Sequence, residues 1–353
     1  MRGARRFLAH ESRSKYTLFQ RKWQGYLKKT AYFWLIICFF VYLHPFFQRE
    51  ESFVSLYKRY AREKWVNMAW YLHNKELGLN NKEQDIFMDK KIKALFFDID
   101  GTLVSFKSHR IPQSTVDALE QAKKNGVEVY ISTGRPKQII NNLGQIEHLI
   151  DGYITANGAR CFVEDTLVSQ HAILPSDVKK IIEAADRDNY PAIVVSESRF
   201  AIHHYTDEVY EIFCKGLGVD SSVFVTDLNR LGDEAILQVT PFCTVEQEAL
   251  LMPTLENCTS GRWHPAFTDI TAHGADKGKG LQAMADYLGL NIEETMAFGD
   301  GGNDISIIKK AGVGVAMGNA GDELKQVADY ITTHVDEDGV KNALIKYGVI
   351  AEN

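Results

Sequence analysis

Two aspartates spaced two apart, Asp98 and Asp100, stand directly after the apolar run Ala94-Leu95-Phe96-Phe97 and are followed by Gly101, Thr102 and Leu103. The run reads as a buried strand, and strand alternation points both carboxylates one way, with Ile99 facing back into the core. Carboxylates that close repel each other unless a cation or a shared proton relieves them. Gly101 lets the backbone leave the strand sharply. Taken alone, the stretch reads equally well as a strand with an Asx-type turn. Three further stretches carry groups of related kind: Ser132-Thr133-Gly134-Arg135 after a second apolar run, Lys277 at a helix start, and Gly299-Asp300-Gly301-Gly302-Asn303-Asp304 after a third run. Hard carboxylate oxygens with no His or Cys cluster beside them suit magnesium rather than zinc. A hydroxyl, a lysine and glycine-rich backbone at helix N-termini suit a phosphate. Nucleophilic carboxylate, divalent ion and phosphate clamp together describe phosphoryl transfer through an aspartyl-phosphate.

Each stretch also has a plainer reading. Thr133-Gly134 could be only a strand-to-helix turn, Lys277 a solvated lysine, and Asp300 and Asp304 helix caps. Arg135 reaches substrate or pairs with an acid; Asn157 is a turn residue or touches the phosphate region. Glu197, Arg199, His203 and His204 face a substrate or cover an exposed surface.

The elements that must position these groups follow from periodicity. Gln113 to Gly126 is a helix with Ser114 as its cap, Val116, Leu119 and Ala122 as its apolar stripe, and Gly126 as its stop. Val127 to Ile131 is the second strand, and strand–helix–strand spacing sets it beside the first in a right-handed parallel crossover. Pro136 is expected to open a helix, and Gly152 to Thr155 to form a third strand. From Ile173 to Arg262 the rhythm changes to helix 175–189, strands 191–196 and 200–204, helix 207–217, strand 235–240 and helix 245–255. The strand–helix pattern resumes at Thr268, with helix 277–288, strand 295–298, a helix through Lys310, strand 313–316 and a final helix 338–346. The expected fold is therefore α/β, a doubly wound Rossmann-like parallel sheet in two parts, 88–172 and 263–353, interrupted by an inserted α/β cap over 173–262. In such a sheet ligands bind beyond the carboxyl ends of the strands, where all four stretches fall.

The chain has 353 residues and a formal net charge of -6, which leaves no basic field for nucleic acid. Its five cysteines are scattered without zinc spacing and read as reduced core thiols. The first 87 residues differ from the rest. A basic stretch precedes the uncharged run 31–47, which is at the short end of what spans a bilayer and lacks a small-residue cleavage site after it. Two expectations stand side by side: an uncleaved single-pass anchor, or an over-extended start ahead of a cytoplasmic protein that begins at Met88. The second is adopted; a peptide from 50–87 in the native protein would decide against it.

Asp98-Ile-Asp-Gly-Thr-Leu103, Ser132-Thr-Gly-Arg135, Lys277 and Gly299-Asp-Gly-Gly-Asn-Asp304, in that order, resemble the four motifs of the haloacid dehalogenase (HAD) superfamily, from Met88 to the C-terminus. The long insert between Thr133 and Lys277, preceded by Asn157-Gly158-Ala159, resembles the Cof-type sugar-phosphatase branch. The resemblance implies Asp98 as nucleophile and Asp100 as the acid that protonates the leaving oxygen and then activates water. It implies Thr133, Gly134, Lys277 and Asn303 around the phosphate, and Mg2+ held by Asp98, the Asp100 backbone carbonyl and Asp300, with Asp304 as ligand or orienting group. The expected substrate is a small phosphorylated metabolite, most simply a sugar or hexose phosphate. Rival readings are a flavin or pyridoxal phosphate phosphatase, a phosphomutase, and a membrane-tethered phospho-ligand sensor.

Overall fold

The computed structural model describes residues 91–216 and 218–352; the run 31–47 and the rest of the first 87 residues lie outside them. Among the described residues no helix is long and apolar enough to cross a membrane.

In chain order the strands of the first sheet are β1 (Ala94–Phe97), β2 (Glu128–Ser132), β3 (Gly152–Thr155), β4 (Arg160–Val163) and β5 (Thr166–Gln170). The second sheet takes β6 (Ala192–Ser196), β7 (Phe200–His203), β8 (Phe224–Val225), β9 (Ile236–Pro241), β10 (Cys258–His264) and β11 (Phe267–Ala272). The chain then returns to the first with β12 (Thr295–Gly299), β13 (Val313–Ala316) and β14 (Tyr330–Ile331). The first sheet runs β14-β13-β12-β1-β2-β3-β4-β5 and the second β10-β11-β9-β6-β7-β8. β14 to β3 are parallel, and β4 and β5 add an antiparallel edge.

β1 sits at the centre because all four of its residues are apolar and fully buried. Alternation divides it: Leu95 and Phe97 pack with Leu119 of the helix Gln113–Lys124 and Leu344 of the helix Gly339–Lys346. Ala94 and Phe96 pack with Leu281 and Met284 of the helix Lys277–Leu288 and with Ile307 and Ile308 of the helix Ile305–Lys310. Burying each such side chain contributes about 1.5–3 kcal/mol, so β1 alone fixes where its C-terminal carboxylates emerge. Helices cover both faces, the doubly wound arrangement expected.

Several local expectations change. Ser114 lies inside its helix, whose N-cap is Pro112, so the cap is a proline-set entry angle rather than a hydroxyl. Pro136 opens only the 3-10 turn Lys137–Ile139. The boundary drawn at 262 falls within β10, and the second sheet ends only at Ala272, because β11 pairs with β9 and β10. A helical turn at Asp207–Val209 runs into a π-helical stretch, Tyr210–Lys215. The four described cysteines are free thiols, three of them buried.

Candidate active site

The parallel order puts the ends of β12, β1, β2 and β3 along one edge, and each delivers a polar group there. Asp98 follows β1 and is 8 % exposed. Its Oδ1 accepts from Lys277 Nζ at 2.7 Å, and the same ammonium lies 2.5 Å from Asp304 Oδ1. Lys277 is the first residue of its helix and only 1 % exposed. Burial and the positive end of the helix both oppose a charge there, so the two carboxylates must hold it. Burial would push the Lys277 ammonium down, but Asp304 and Asp98 more than offset it and hold it above the usual lysine value.

After β12 the Gly301–Asp304 turn folds back on itself. Asp304 Oδ2 accepts from the backbone N–H of Asp300 and of Gly301, each at 3.0 Å. Thr102 Oγ1 donates to Asp300 Oδ1 at 3.2 Å, and Asn319 Nδ2 reaches Asp300 Oδ2 at 3.4 Å. Gly101, at φ +88°, passes so close that a Cβ there would strike the Asp300 carboxylate and the Phe106 ring.

Oxygens of Asp98, Asp300 and Asp304 lie within 4.8 Å of one another, a set able to hold a metal ion. Three carboxylates sit around one ammonium, and the imbalance shows in how firmly Asp98 and Asp300 hold a proton. Burial, followed by Asp304, pushes Asp300 up to about 7. Burial also raises Asp98 well above the carboxylate range, with Asp304 and Asp300 adding to it against the pull of Lys277. A hard divalent cation would relieve that imbalance, and oxygen-only donors suit magnesium.

Asp100 is placed differently from its partner. Its side chain turns to Arg135, whose Nε donates to Oδ2 at 2.6 Å and Nη2 to Oδ1 at 3.0 Å. Its side chain is therefore not among the clustered carboxylates. Arg135 in turn is fixed by Thr133, whose Oγ1 accepts the Arg135 N–H at 3.0 Å. Thr133 is buried after β2, and Gly134 lies against the Asn157 amide. Asn157 Oδ1 accepts from Asn303 Nδ2 at 3.1 Å, so these two residues, 146 apart in sequence, meet across the sheet edge.

Asp98, Asp100, Thr133, Gly134, Arg135, Asn157, Asp300 and Asn303 all line one cavity of about 580 Å3, whose opposite wall comes from the second sheet through Val195, Phe200, Gln238, Thr240 and Asp269. Lys277 and Asp304 lie behind the wall, joined to Asp98 by the bonds above. Glu197, Arg199, His203 and His204 are not in the lining. Glu197 accepts from Gln170 of the first sheet, Arg199 pairs with Glu234, and both histidines meet Asp186.

Asn319 is the residue that sequence reading passed over. It donates to Gly101 O at 2.7 Å as well as to Asp300, and its Oδ1 accepts from Val335 N at 3.0 Å. Its signal was the same as that of the others: a polar side chain just beyond a buried strand, here β13.

Residues 95–344 match the haloacid dehalogenase-like hydrolase family. Over 275 residues the chain is 30 % identical to 5-amino-6-(5-phospho-D-ribitylamino)uracil phosphatase YitU of Bacillus subtilis (strain 168), covering 74 % of this chain and 99 % of that one. A solved structure of the HAD subclass IIB sugar phosphatase BT4131 superposes with a TM-score of 0.68 at 45 % identity, covering 73 % of this chain and 100 % of that one. The phosphatase BT1666 from Bacteroides thetaiotaomicron gives 0.67 at 35 % identity, with 74 % and 97 % covered. Matched in family over most of the described residues, and superposing on solved phosphatases of that superfamily, the chain belongs to the haloacid dehalogenase superfamily as a Cof-type hydrolase and is a phosphatase.

Proposed function

We propose that this phosphatase is magnesium-dependent and hydrolyses small phosphorylated metabolites through an aspartyl-phosphate on Asp98. The observation that carries the reading is a buried carboxylate with a lysine at 2.7 Å and two further carboxylates beside it, opening on a cavity closed by a second sheet. Asp98 attacks phosphorus along the free side of its carboxylate. Asp100, whose two oxygens accept from Arg135 in this arrangement, takes up a proton from solvent on leaving Arg135, gives it to the leaving oxygen and later takes one from the water that hydrolyses the intermediate. Lys277, Thr133, the Gly134 backbone and Asn303 hold phosphoryl oxygens and meet the charge that develops on them. Magnesium, when held by Asp98, Asp300 and Asp304 with the Asp100 carbonyl, supplies the charge neutralisation that lets an anionic carboxylate meet an anionic phosphate. The second sheet covers the cavity and excludes bulk water from the reaction.

Sugar phosphates are the substrate class we favour, supported by the resemblance of the motifs and insert to the Cof-type branch and by the likeness to a sugar phosphatase. A cofactor-precursor phosphate is the second reading. The identity with YitU favours it, as does an aromatic stretch of cavity wall, Phe106, Phe200 and Phe213, that would take a planar ring. Substrates of both kinds are cytoplasmic, where the reading puts the enzyme.

Phosphate release by the full-length chain decides the matter, measured on sugar, polyol and ring-bearing phosphates with and without Mg2+ beside Asp98→Asn. We expect release that needs Mg2+ and falls at least about 10³-fold in the variant. Binding of the esters without release would replace the enzyme reading with a sensing one. Undiminished release by Asp98→Asn would remove Asp98 from its role.

A further inference from the structure

The second sheet has one face against helices and one towards the cavity, and β7 serves both. Phe200 and Ile202 pack on the cavity side with Val195 and Phe267. Ala201 packs on the other side with Ile181, Ala184 and Ala185 of the helix Pro175–Asp188. His203 stands two residues past Ala201 and directly opposite Ala192, which belongs to the same helix-facing core, so it continues that side. Alternation would send His204 back towards the cavity, but its backbone turns instead into the left-handed region at φ +55°. That conformation is unfavourable for any residue with a Cβ. It brings the His204 ring onto that of His203, with centroids 3.9 Å apart and planes 25° from parallel. Two imidazoles that strand geometry would have parted thus stand together.

Both rings converge on one oxygen. Asp186 follows the buried Ala185 in the last turn of its helix, and its Oδ1 lies 2.7 Å from His203 Nε2 and 3.2 Å from His204 Nε2. The neighbouring cation, Arg187, is turned to Asp188 at 2.9 and 2.7 Å and does not compete for it. The three donor atoms lie within 4.8 Å of one another, and among the described residues no other such group of three includes imidazole. Zinc bonds of about 2.0–2.1 Å in a tetrahedral set put ligand atoms about 3.3 Å apart, so the cluster has to open only slightly to admit an ion. A carboxylate only accepts, so His203 Nε2 carries a hydrogen as it stands, and a bound ion displaces it. The side chains of His203, His204 and Asp186 are 20 %, 36 % and 54 % exposed, which lets an ion enter and complete its coordination with water.

We propose that Asp186, His203 and His204 form a second metal site, on the helix side of the second sheet, for a divalent transition ion of the zinc class. Two imidazole nitrogens and one carboxylate suit such an ion, whereas Mg2+ and Ca2+ ask for oxygen donors throughout. The three residues share nothing with the cavity lining, so the site stands whether or not the phosphatase reading does. The ion joins the end of the helix Pro175–Asp188 to the end of β7, and because it binds only the folded arrangement it stabilises the second sheet.

The test titrates Zn2+ into the full-length chain by calorimetry, in excess Mg2+, for wild type, His203→Gln, His204→Asn and His148→Gln. His148 is an exposed residue of the 3-10 turn Glu147–Leu149 and serves as the control. Asparagine tolerates the left-handed backbone, so His204→Asn removes the ring while the turn is kept. We expect wild type and His148→Gln to hold Zn2+ at a site that weakens at least about tenfold in His203→Gln and in His204→Asn. Zinc-edge X-ray absorption on wild type should count two imidazoles around the ion. Zn2+ should raise the thermal midpoint of wild type more than that of His204→Asn. The same differences should persist in an Asp300→Asn background, which separates this site from the cavity carboxylates. Should His203→Gln not fold, His204→Asn and the absorption spectrum carry the comparison. Equal Zn2+ affinity in wild type and both folded variants overturns the proposal, as does a spectrum without imidazole. Loss of the site in Asp300→Asn alone overturns it too, because the ion would then lie in the cavity. Displacement of Zn2+ by Ca2+ at comparable concentration overturns the class of ion assigned.

Discussion

Lys277 is the group on which the charges of the site balance. It is enclosed, it sits at the end of a helix that disfavours cations, and it answers two carboxylates at 2.7 and 2.5 Å. Replacing it by Met leaves Asp98, Asp300 and Asp304 as an uncompensated cluster, so the Mg2+-free protein should lose about 3–5 kcal/mol at neutral pH, read by urea unfolding. Mg2+ should restore more stability to Lys277→Met than to wild type; an equal gain in both would mean that the cation does not neutralise this cluster. The pH dependence has a defined sign. Asp300 in the folded protein holds its proton up to about 7, against an ordinary value of 3.8 in the unfolded chain. The Mg2+-free fold therefore binds more protons than the unfolded state across that window, and this contribution to stability falls as pH rises through it. Mg2+ and the proton compete for the same oxygens, so Mg2+ affinity by calorimetry should tighten at least about tenfold from pH 5.5 to pH 8. A flat profile would exclude Asp300 as a ligand. At this scale the sequence was informative because strand ends are short and their polar residues conspicuous. Asp98, Thr133, Lys277 and Asp300 were legible from type and position, but the Asp100–Arg135 pairing depends on a side-chain turn that spacing does not encode.

The elements hold the site through two tight turns, one after β1 and one after β13. Gly101 needs both its positive φ and its missing Cβ, since any side chain would enter the space of Asp300. Gly101→Ala should cost about 1–3 kcal/mol in stability and weaken Mg2+ binding more than Thr102→Ser does, measured by calorimetry on both. Asn319 ties the second turn to the first through Gly101 O and Asp300. Its removal in Asn319→Ala should weaken Mg2+ by about 10- to 100-fold while the thermal midpoint without Mg2+ moves little, as for groups that orient a ligand from behind it. A midpoint that falls as far as in Gly101→Ala would make Asn319 structural only. The central strands were legible because continuous apolar runs of four or five residues with turn signals at their ends have one reading. The β4–β5 edge was not, since apart from the buried Cys161 its residues are half-buried or exposed and show no clean alternation. The stretch from Thr268, which forms most of β11, was given to the core pattern rather than to the second sheet. Its membership is decided by pairing with β9, some thirty residues away, and no local pattern reports that.

Across the whole described fold, the two sheets meet over the cavity and are tied by the Gln170–Glu197 side-chain bond and by rim contacts that end on backbone carbonyls. Gln138 Nε2 donates to Glu197 O at 3.0 Å and Arg160 Nη1 to the same oxygen at 3.1 Å, while Asn141 Nδ2 donates to Gly218 O at 2.8 Å. Carbonyls at turns tolerate substitution of their own side chains, so these three ties depend on the donors Gln138, Arg160 and Asn141. Two chain segments connect the sheets, between β5 and the helix Pro175–Asp188 and between β11 and the helix Lys277–Leu288, and Gly274 of one lies against His171 of the other. Paired connections of that kind permit the second sheet to swing as a unit, with the rim contacts as its catch. Each exposed hydrogen bond is worth about 0.5–1.5 kcal/mol, so Gln138→Ala with Asn141→Ala should shift the balance towards the open arrangement by roughly 1–3 kcal/mol. In steady state this appears as KM raised about 5- to 100-fold for esters that touch the second sheet, with a smaller change for phenyl phosphate. Solution scattering should show a larger radius of gyration for the double variant. A raised KM without expansion would mean that the two residues contact substrate directly, and expansion without a change in KM would mean that closure does not contribute to binding.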